Sequence, residues 1–212
     1  MPDLSGETVH APQAAHHVLH VLRAQPGERF HLLDGKGGAA IGALQGDATF
    51  HVLERLAVHP PPARVILLGV PKPALLEEAL TLGTEGGATR FLLIKARFSP
   101  PGEPRLDRLD RVVRAAVTQC GRADMPVVDG PLSLTGAIQA IAGVECRWLA
   151  THGGGPGAAG PAAIAIGPEG GWSAEERGTL LEAGFEPLGL GPFTLRTPSA
   201  VGAALARLTD GS

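Results

Sequence analysis

The sequence predicts an α/β protein made of a small N-terminal β-barrel and a larger unit built on a parallel sheet. Beyond three consecutive prolines at 60–62, apolar strand-like runs alternate with segments of helical periodicity, as in a parallel sheet with crossover helices. Before those prolines, short strand-like runs lie close together, and Asp34-Gly35 is a turn signal between two of them. Prolines in a row stiffen the backbone, so we predict one domain over residues 1–62 and a second over 63–212.

The first domain is predicted to be rich in short strands. These are Arg29 to Leu33, Ala39 to Ala43 and Ala48 to Ala57. A unit of about sixty residues buries little apolar surface, so we expect the second domain to stabilise it.

The second domain is predicted to alternate strands with helices around one parallel sheet. The strands are Arg64 to Val70, Arg90 to Lys95, Pro126 to Val128, Cys146 to Ala150, Ala162 to Ile166 and Phe185 to Leu190. The helices are Ala74 to Leu82, Arg105 to Cys120, Ser133 to Ile141, Ala174 to Ala183 and Pro198 to Leu208.

One connection in this alternation, Thr151 to Pro161, has no predicted helix. Its segment Gly155 to Gly160 matches the spacing of a dinucleotide-binding fingerprint. Because Pro161 and a strand follow directly, no helix can present its N-terminus to a pyrophosphate, and we interpret the segment as a connector. A nicotinamide-dependent oxidoreductase would require nucleotide binding here.

Composition excludes several classes of protein. With 212 residues, 44% of them hydrophobic, the chain can bury a core and is not disordered. The apolar runs, such as Val65 to Val70, are too short to span a bilayer and the start lacks a signal-peptide pattern, so we expect a cytoplasmic protein without a membrane segment.

Cys120 and Cys146 lie in apolar patterns and are expected to be buried thiols. His16 and His20 have metal-ligand spacing but no evident third ligand, so we predict no metal site.

Two glycine-bearing loops follow predicted strands and suggest one shared pocket at the carboxyl ends of the sheet. The first is Gly167-Pro168-Glu169-Gly170-Gly171, and Ser173 with Glu176 forms a capping box just beyond it. The second is Leu190-Gly191-Pro192-Phe193-Thr194-Leu195-Arg196, and Thr197 followed by Pro198 is predicted to cap the next helix. The glycines allow a ligand to approach the main chain closely.

Glu169 and Arg196 are the ionisable side chains of these two loops. Each loop alone could be an ordinary strand-to-helix turn, with Arg196 capping or pairing at the surface. A carboxylate and a guanidinium in two adjacent loops, each next to a helix start, favours a functional site.

Positive charge is concentrated in one segment although the formal net charge of the chain is -3. From Arg90 to Arg122 there are eight Lys and Arg against three Asp and Glu, a net of +5. Apolar residues recur at helical spacing from Leu106 to Cys120, so the arginines form a band on the other face. This band is either a phosphate-binding face or a solvated helix face with Arg–Asp pairs.

The two loop motifs together resemble the signature of the RsmE family of SPOUT-type methyltransferases. The resemblance covers nearly the whole chain, since His16 to Arg23 with Pro26-Gly27-Glu28 is similar to the family's N-terminal motif, and Ala115 to Arg122 is similar to its middle motif. The chain departs from the family pattern in three ways: Pro198 and Arg114 each stand where a glutamate is usual, and the lysine-rich segment survives only as Lys72 and Thr84 to Gly87.

The resemblance implies a SPOUT-type parallel sheet with a deep trefoil knot and a PUA-like RNA-binding β-barrel. It also implies an rRNA (uridine-N3-)methyltransferase that uses S-adenosylmethionine and acts on 16S ribosomal RNA or the small ribosomal subunit, as a homodimer. The departures keep open an alternative, a catalytically impaired RNA-binding or ribosome-assembly factor of the same fold.

Site residues follow from the resemblance and from the chemistry of methyl transfer. A cation near the base would stabilise developing negative charge, which suggests Arg196, and Glu169 could orient a ribose hydroxyl, align the base or accept the proton. The expected cofactor-binding residues are Thr151, Ile166, Gly167, Pro168, Gly170, Gly171, Leu190, Gly191, Phe193 and Leu195. The expected RNA-binding residues are His16, Arg23, Arg97, Arg105, Arg108 and Arg122.

Overall fold

The computed structural model describes residues 2–12, 18–19, 23–45 and 49–208. It forms two compact units. The first contains residues up to 60 together with 117–125, and the second contains 61–116 together with the rest of the chain from 126.

The first unit is built on a four-stranded antiparallel sheet, as the strand-rich N-terminal sequence predicts. Its strands are β1 (Thr8–His10), β2 (Arg29–Leu33), β3 (Ala39–Leu44) and β4 (Thr49–Leu56), in the order β1-β4-β3-β2. The sequence did not predict β1, which is only three residues long. Phe30 and Phe50 pack edge to face with ring centroids 5.9 Å apart, and Phe50 is fully buried.

The second unit contains a six-stranded sheet in which every pairing is parallel. Its strands are β5 (Arg64–Gly69), β6 (Arg90–Ile94), β7 (Val127–Leu132), β8 (Arg147–Thr151), β9 (Ala162–Ile166) and β10 (Glu186–Gly189), in the order β10-β8-β9-β5-β6-β7. The helices are α1 (Pro73–Glu85), α2 (Leu106–Cys120), α3 (Leu134–Gln139), α4 (Ala174–Glu182) and α5 (Thr197–Ala206). These positions confirm the predicted α/β class, whereas the trefoil knot stays a prediction.

The core of the second unit lies on both faces of the sheet, because residues 65–69 of β5 and all of β9 are buried and carry no charged side chain. Val65 and Leu67 of β5 pack on one face with the apolar side chains of α3 and α4. The alternate residues, Ile66 and Leu68, point to the opposite face. Helices α1 and α5 pack against each other, and α5 contacts β9.

Two local expectations were wrong. Strand β7 continues to Leu132 instead of ending at Val128. It passes through Gly130 (φ +126°), where a side chain would not fit, because a Cβ would lie 2.6 Å from the Leu93 carbonyl oxygen. Cys120 and Cys146 are exposed rather than buried, since Cys120 is the last residue of α2 and Cys146 precedes β8. Within the described ranges, no helix has the length and apolar character needed to cross a membrane.

The packing of α1 on α5 gives a stability prediction. A Cβ added at Gly83 of α1 would lie 2.6 Å from two ring atoms of Phe91 and 3.1 Å from Cγ1 of Val201. Gly83→Ala should therefore lower the free energy of unfolding by about 1–3 kcal/mol through overpacking. Urea denaturation followed by circular dichroism measures this change.

Gly202→Ala in α5 is the matched control. Nothing lies within 4 Å of a Cβ at Gly202, so the substitution should leave stability unchanged or raise it by up to about 1 kcal/mol. Equal stability of the two variants would contradict the proposed close packing at Gly83.

Candidate active site

A cavity of about 240 Å³ opens at the carboxyl ends of three adjacent strands, β8, β9 and β10. Parallel strands end at the same edge of a sheet, so the loops that follow them meet there. The cavity is lined by Ala150, Thr151, His152, Ile166, Gly167, Pro168, Glu169, Gly171, Trp172, Arg177, Leu190, Phe193, Thr194, Leu195, Thr197 and Ala200.

The loop after β9 is a tight turn that exposes its main chain. The Gly171 N–H donates to the Pro168 carbonyl oxygen at 2.8 Å, and Gly171 has φ +71°, which favours glycine. A Cβ at Gly167 would lie 2.9 Å from the Cα and carbonyl carbon of Gly171. Backbone atoms cannot move aside cheaply, so only glycine fits at Gly167.

Glu169 projects from this turn towards the start of α1. Its Oε1 accepts the Lys72 N–H at 3.3 Å, and Lys72 is the N-cap residue of α1. A carboxylate near a helix N-terminus is stabilised by the unpaired N–H groups there. Glu169 is exposed and lines the cavity, so its second oxygen can face a ligand.

The predicted capping box of α4 is present and fixes where this helix starts. Ser173 Oγ accepts the Glu176 N–H at 3.2 Å, and Glu176 Oε2 accepts the Ser173 N–H at 2.8 Å. Arg177, the next residue, lines the cavity with an exposed side chain. Helix α4 therefore brings a guanidinium to the site.

The loop after β10 is tied to the loops after β8 and β9. The Leu190 N–H donates to the Thr151 carbonyl oxygen at 3.1 Å, and Thr197 Oγ1 donates to the Gly167 carbonyl oxygen at 3.3 Å. Thr197 does not cap α5 as predicted: Arg196 occupies the N-cap position, and the Thr197 hydroxyl is used between loops instead.

The loop after β8 forms the third wall of the cavity, beside the loops after β9 and β10. Thr151 Oγ1 donates to the Gly153 carbonyl oxygen, and His152 Nε2 lies 3.3 Å from Thr194 Oγ1 of the loop after β10. Further along, Gly155 pairs with Leu188 as an isolated parallel bridge. In the described chain, the element directly after Gly160 is a strand and not a helix, since β9 starts at Ala162.

Most of the predicted cofactor residues come together in this cavity. The eight that line it are Thr151, Ile166, Gly167, Pro168, Gly171, Leu190, Phe193 and Leu195. Gly170 and Gly191 are not among the lining residues. A Cβ at Gly170 would lie 2.7 Å from the Phe98 Cβ, and Gly191 has φ +126°, so glycine at both positions is explained by the backbone conformation and packing of the loops.

The two predicted catalytic residues are placed differently. Glu169 lines the cavity, but Arg196 is absent from the described residues that line it. The Arg196 guanidinium donates to Glu78 Oε1 of α1 at 3.3 Å, and its side chain is 65% exposed. Glu169 thus contacts the N-cap residue of α1, and Arg196 contacts a residue within α1.

Sequence reasoning missed several lining residues. These are Ala150, His152, Trp172, Arg177, Thr194, Thr197 and Ala200. For His152 a signal was available, since it directly follows the expected cofactor residue Thr151 at the end of a strand. For Arg177 the signal was its position one residue past the capping box.

The arginine band on α2 consists largely of ion pairs. Arg108 makes a bidentate pair with Glu77 (2.5 and 3.0 Å). Arg105 and Arg111 both contact Asp107, and Arg114 contacts Asp110 at 3.1 Å. The side-chain hydrogen bond from Arg105 lowers the pKa of Asp107 below its ordinary value. These pairs are those expected of a solvated helix face.

The other expected RNA-binding residues lie in separate places. Arg122 makes a bidentate pair with Asp124 and its side chain is only 12% exposed. Arg97 is exposed, and its N–H donates to Glu176 Oε1 at 2.7 Å. Arg23 is exposed with φ +55°, and His16 lies outside the described residues. Within the described ranges, no three His, Cys, Asp or Glu side chains cluster as metal ligands.

Two family models match the two parts of the chain. A family model described as an RNA methyltransferase domain matches residues 59–209, and one described as an RNA methyltransferase PUA domain matches residues 12–50. Ribosomal RNA small subunit methyltransferase E from Synechocystis sp. is 34% identical over 91% of this chain and 69% of its own length. The Mycobacterium bovis protein of the same name is 32% identical over 97% of this chain and 87% of its own length.

A solved structure is also similar along the whole chain. It is the crystal structure of ribosomal RNA small subunit methyltransferase E from Neisseria gonorrhoeae bound to S-adenosyl methionine, with a TM-score of 0.86 and 25% identity over 97% of this chain and 93% of that chain. With family models matching both parts of the sequence, the chain belongs to the RNA methyltransferase family that includes ribosomal RNA small subunit methyltransferase E.

Proposed function

We propose that this protein transfers the methyl group of S-adenosylmethionine to N3 of a uridine in 16S ribosomal RNA. The observation that carries the proposal is the single cavity formed by three loops at the carboxyl ends of adjacent strands, in a chain that belongs to an RNA methyltransferase family. The N3 position and the 16S substrate come from the resemblance of the loop motifs to the RsmE family.

The residues of the cavity suit S-adenosylmethionine. This cofactor carries no phosphate, so it needs apolar surface and main-chain polar groups rather than a cluster of lysines. Ile166, Leu190, Leu195 and Ala200 supply apolar surface, and the turn around Gly167 exposes peptide groups without side chains. When bound, the cofactor supplies an electrophilic methyl group on a positively charged sulfur.

Glu169 is the acidic side chain among the described residues that line the cavity. One of its oxygens accepts the Lys72 N–H, which fixes the carboxylate against the start of α1. We assign it a binding role, in which the free oxygen accepts a hydrogen bond from a ribose hydroxyl or stabilises positive charge.

The target nucleotide must be unstacked, because a base inside a helix cannot enter a pocket of this size. The expected RNA contacts are therefore with flanking backbone, through Arg97, Arg105 and Arg108, and through Arg23, Arg122 and His16. Exposed ion pairs contribute only about 0–1 kcal/mol each, so the paired arginines on α2 can exchange carboxylates for phosphates at low cost. The family model for a PUA domain over residues 12–50 supports a role of the first unit in RNA binding.

The proposal includes assembly and location. The resemblance implies a homodimer, and Phe193, which is 79% exposed at the cavity, is a large apolar surface that a partner subunit or a base would cover. Because ribosomal RNA is the proposed substrate, we place the protein in the cytoplasm. The alternative, an assembly factor without activity, is not favoured, since all three loops of the cavity are built and the named relatives are methyltransferases.

Cofactor binding should depend on Gly167. Gly167→Ala places a Cβ 2.9 Å from the backbone of Gly171, so the turn must open. We expect the affinity for S-adenosylmethionine to fall at least about tenfold, as expected for a main-chain site displaced by a fraction of an ångström. Isothermal titration calorimetry measures the affinity, and methyl incorporation into small ribosomal subunits measures the activity.

Gly143→Ala is the matched control, because nothing lies within 4 Å of a Cβ at that glycine. It should bind the cofactor like the unmodified protein. Normal cofactor affinity in Gly167→Ala, or no binding in the unmodified protein, would contradict the proposed site.

Arg196 is proposed to leave Glu78 and stabilise negative charge on the uracil during transfer. Its pair with Glu78 joins two side chains that are 65% and 42% exposed, so breaking it costs little. Arg196→Ala should lower kcat/KM about 10²-fold, the effect of removing one group that stabilises transition-state charge. Steady-state methyl-transfer assays on small ribosomal subunits measure the change.

Glu78→Gln removes the ion pair while keeping Arg196, and it should leave kcat/KM nearly unchanged. Near-normal turnover in Arg196→Ala would remove this residue from the catalytic set. Equal losses in both variants would show that the arginine acts by holding α5 on α1.

A further inference from the structure

The methyl acceptor must lose a proton, and the cavity contains few groups that can take it. N3 of a uridine carries a hydrogen that is released when the methyl group arrives. Among the described residues that line the cavity, the ionisable side chains are His152, Glu169 and Arg177. A guanidinium is protonated at all relevant pH values and cannot accept a proton. The choice lies between the imidazole and the carboxylate.

Glu169 is less suited to this task. Its Oε1 accepts the Lys72 N–H at 3.3 Å, so the carboxylate is engaged with the start of α1. Carboxylates are also weak bases near neutral pH, whereas an imidazole has an ordinary pKa of about 6.5 and is matched to proton transfer there.

His152 has a neighbour that can select its tautomer. Nε2 lies 3.3 Å from Thr194 Oγ1, which belongs to the loop after β10, while His152 follows β8. If Nε2 carries the hydrogen and donates it to the Thr194 oxygen, Nδ1 keeps its lone pair free. The contact joins two walls of the cavity, and in this tautomer Nδ1 is the ring nitrogen that can accept a proton.

We propose that His152 is the general base of the reaction and that Thr194 positions it. This inference rests on the proposed function. The N3 proton passes to Nδ1 of His152 as the bond between N3 and the methyl carbon forms. The electron pair of the broken sulfur–carbon bond stays on sulfur, so a thioether and an imidazolium result. The imidazolium later releases its proton to water.

Few charged side chains belong to the segments around His152. The loop that carries His152, residues 151–161, contains no other ionisable side chain. Glu169 and Arg177, the other ionisable residues of the described lining, carry opposite charges. In the loop after β10, which carries Thr194, the charged residue is Arg196, and its side chain is paired with Glu78. Exposure of His152 gives the captured proton a direct path to solvent.

Single-turnover kinetics with the full-length protein and unmethylated small ribosomal subunits test the proposal. The rate of the unmodified protein should rise with pH through a single limb and then level off, as expected when one base must be deprotonated. His152→Gln should lower the neutral-pH rate about 10²-fold and abolish the levelling, so that its rate keeps rising with pH. Its affinity for S-adenosylmethionine, measured by calorimetry, should be unchanged.

Two comparison variants separate the roles. Thr194→Val should give a smaller loss than His152→Gln and retain the pH limb, as a positioning residue would. Glu169→Gln should also retain the limb. The proposal is overturned if His152→Gln transfers methyl groups at the normal rate, or if the limb disappears in Glu169→Gln but persists in His152→Gln.

A spectroscopic measurement is independent of turnover. The ¹⁵N resonances of His152, identified by their loss in His152→Gln, should report the Nε2–H tautomer in the unmodified protein and a mixture of tautomers in Thr194→Val. An Nδ1–H tautomer in the unmodified protein would overturn the proposal. An unmodified protein that binds no cofactor and methylates no RNA would instead defeat the proposed function itself.

Discussion

Parallel pairing of β8, β9 and β10 is the constraint on which the rest of the site depends. Their carboxyl ends lie side by side in the order β10-β8-β9, so the three loops that follow these strands, all between residues 151 and 197, converge on one cavity. Two hydrogen bonds between loops, from Leu190 to Thr151 and from Thr197 to Gly167, hold them together. Glycine at 167 is required because the turn closes on its own backbone. A rigid sheet edge with closely packed loops suits a reaction that needs donor and acceptor in line.

Much of the fold could be predicted because the strands and helices carry strong local signals. Ala162 to Ile166 is a continuous apolar run and forms a fully buried strand, and Ser173 with Glu176 forms the expected capping box. Sequence signals were weaker where contacts between distant parts of the chain determine the local structure. Strand β7 can continue past residue 130 because that residue is glycine, and the neighbouring Leu93 backbone leaves no room for a side chain there. The Thr197 hydroxyl donates to the Gly167 carbonyl oxygen of another loop instead of capping α5. Neither contact can be read from local sequence.

The site was predictable in its backbone and less so in its charges. Both glycine loops were found from their motifs, and most of their residues line the cavity. Arg196 was predicted to be the catalytic cation of the second loop, but in the structure it contacts Glu78 on α1. Arg177 of α4, which was not predicted, lines the cavity. His152 was overlooked because its signal, a position directly after Thr151 at the end of a strand, belongs to neither loop motif, and because seven of the eight histidines lie before residue 63. Its relation to Thr194 depends on the pairing of β8 with β10, which a local pattern does not reveal.

In the proposed function, the cofactor binds mainly to main-chain groups of this cavity and the chemistry depends on a few side chains from its three loops. The most direct test is mass-spectrometric mapping of 16S ribosomal RNA from cells that lack the protein, complemented with the unmodified chain or with Gly167→Ala. The account predicts that one N3-methyluridine is absent without the protein, returns with the unmodified chain and does not return with the variant. An unchanged set of modifications in cells lacking the protein would contradict it.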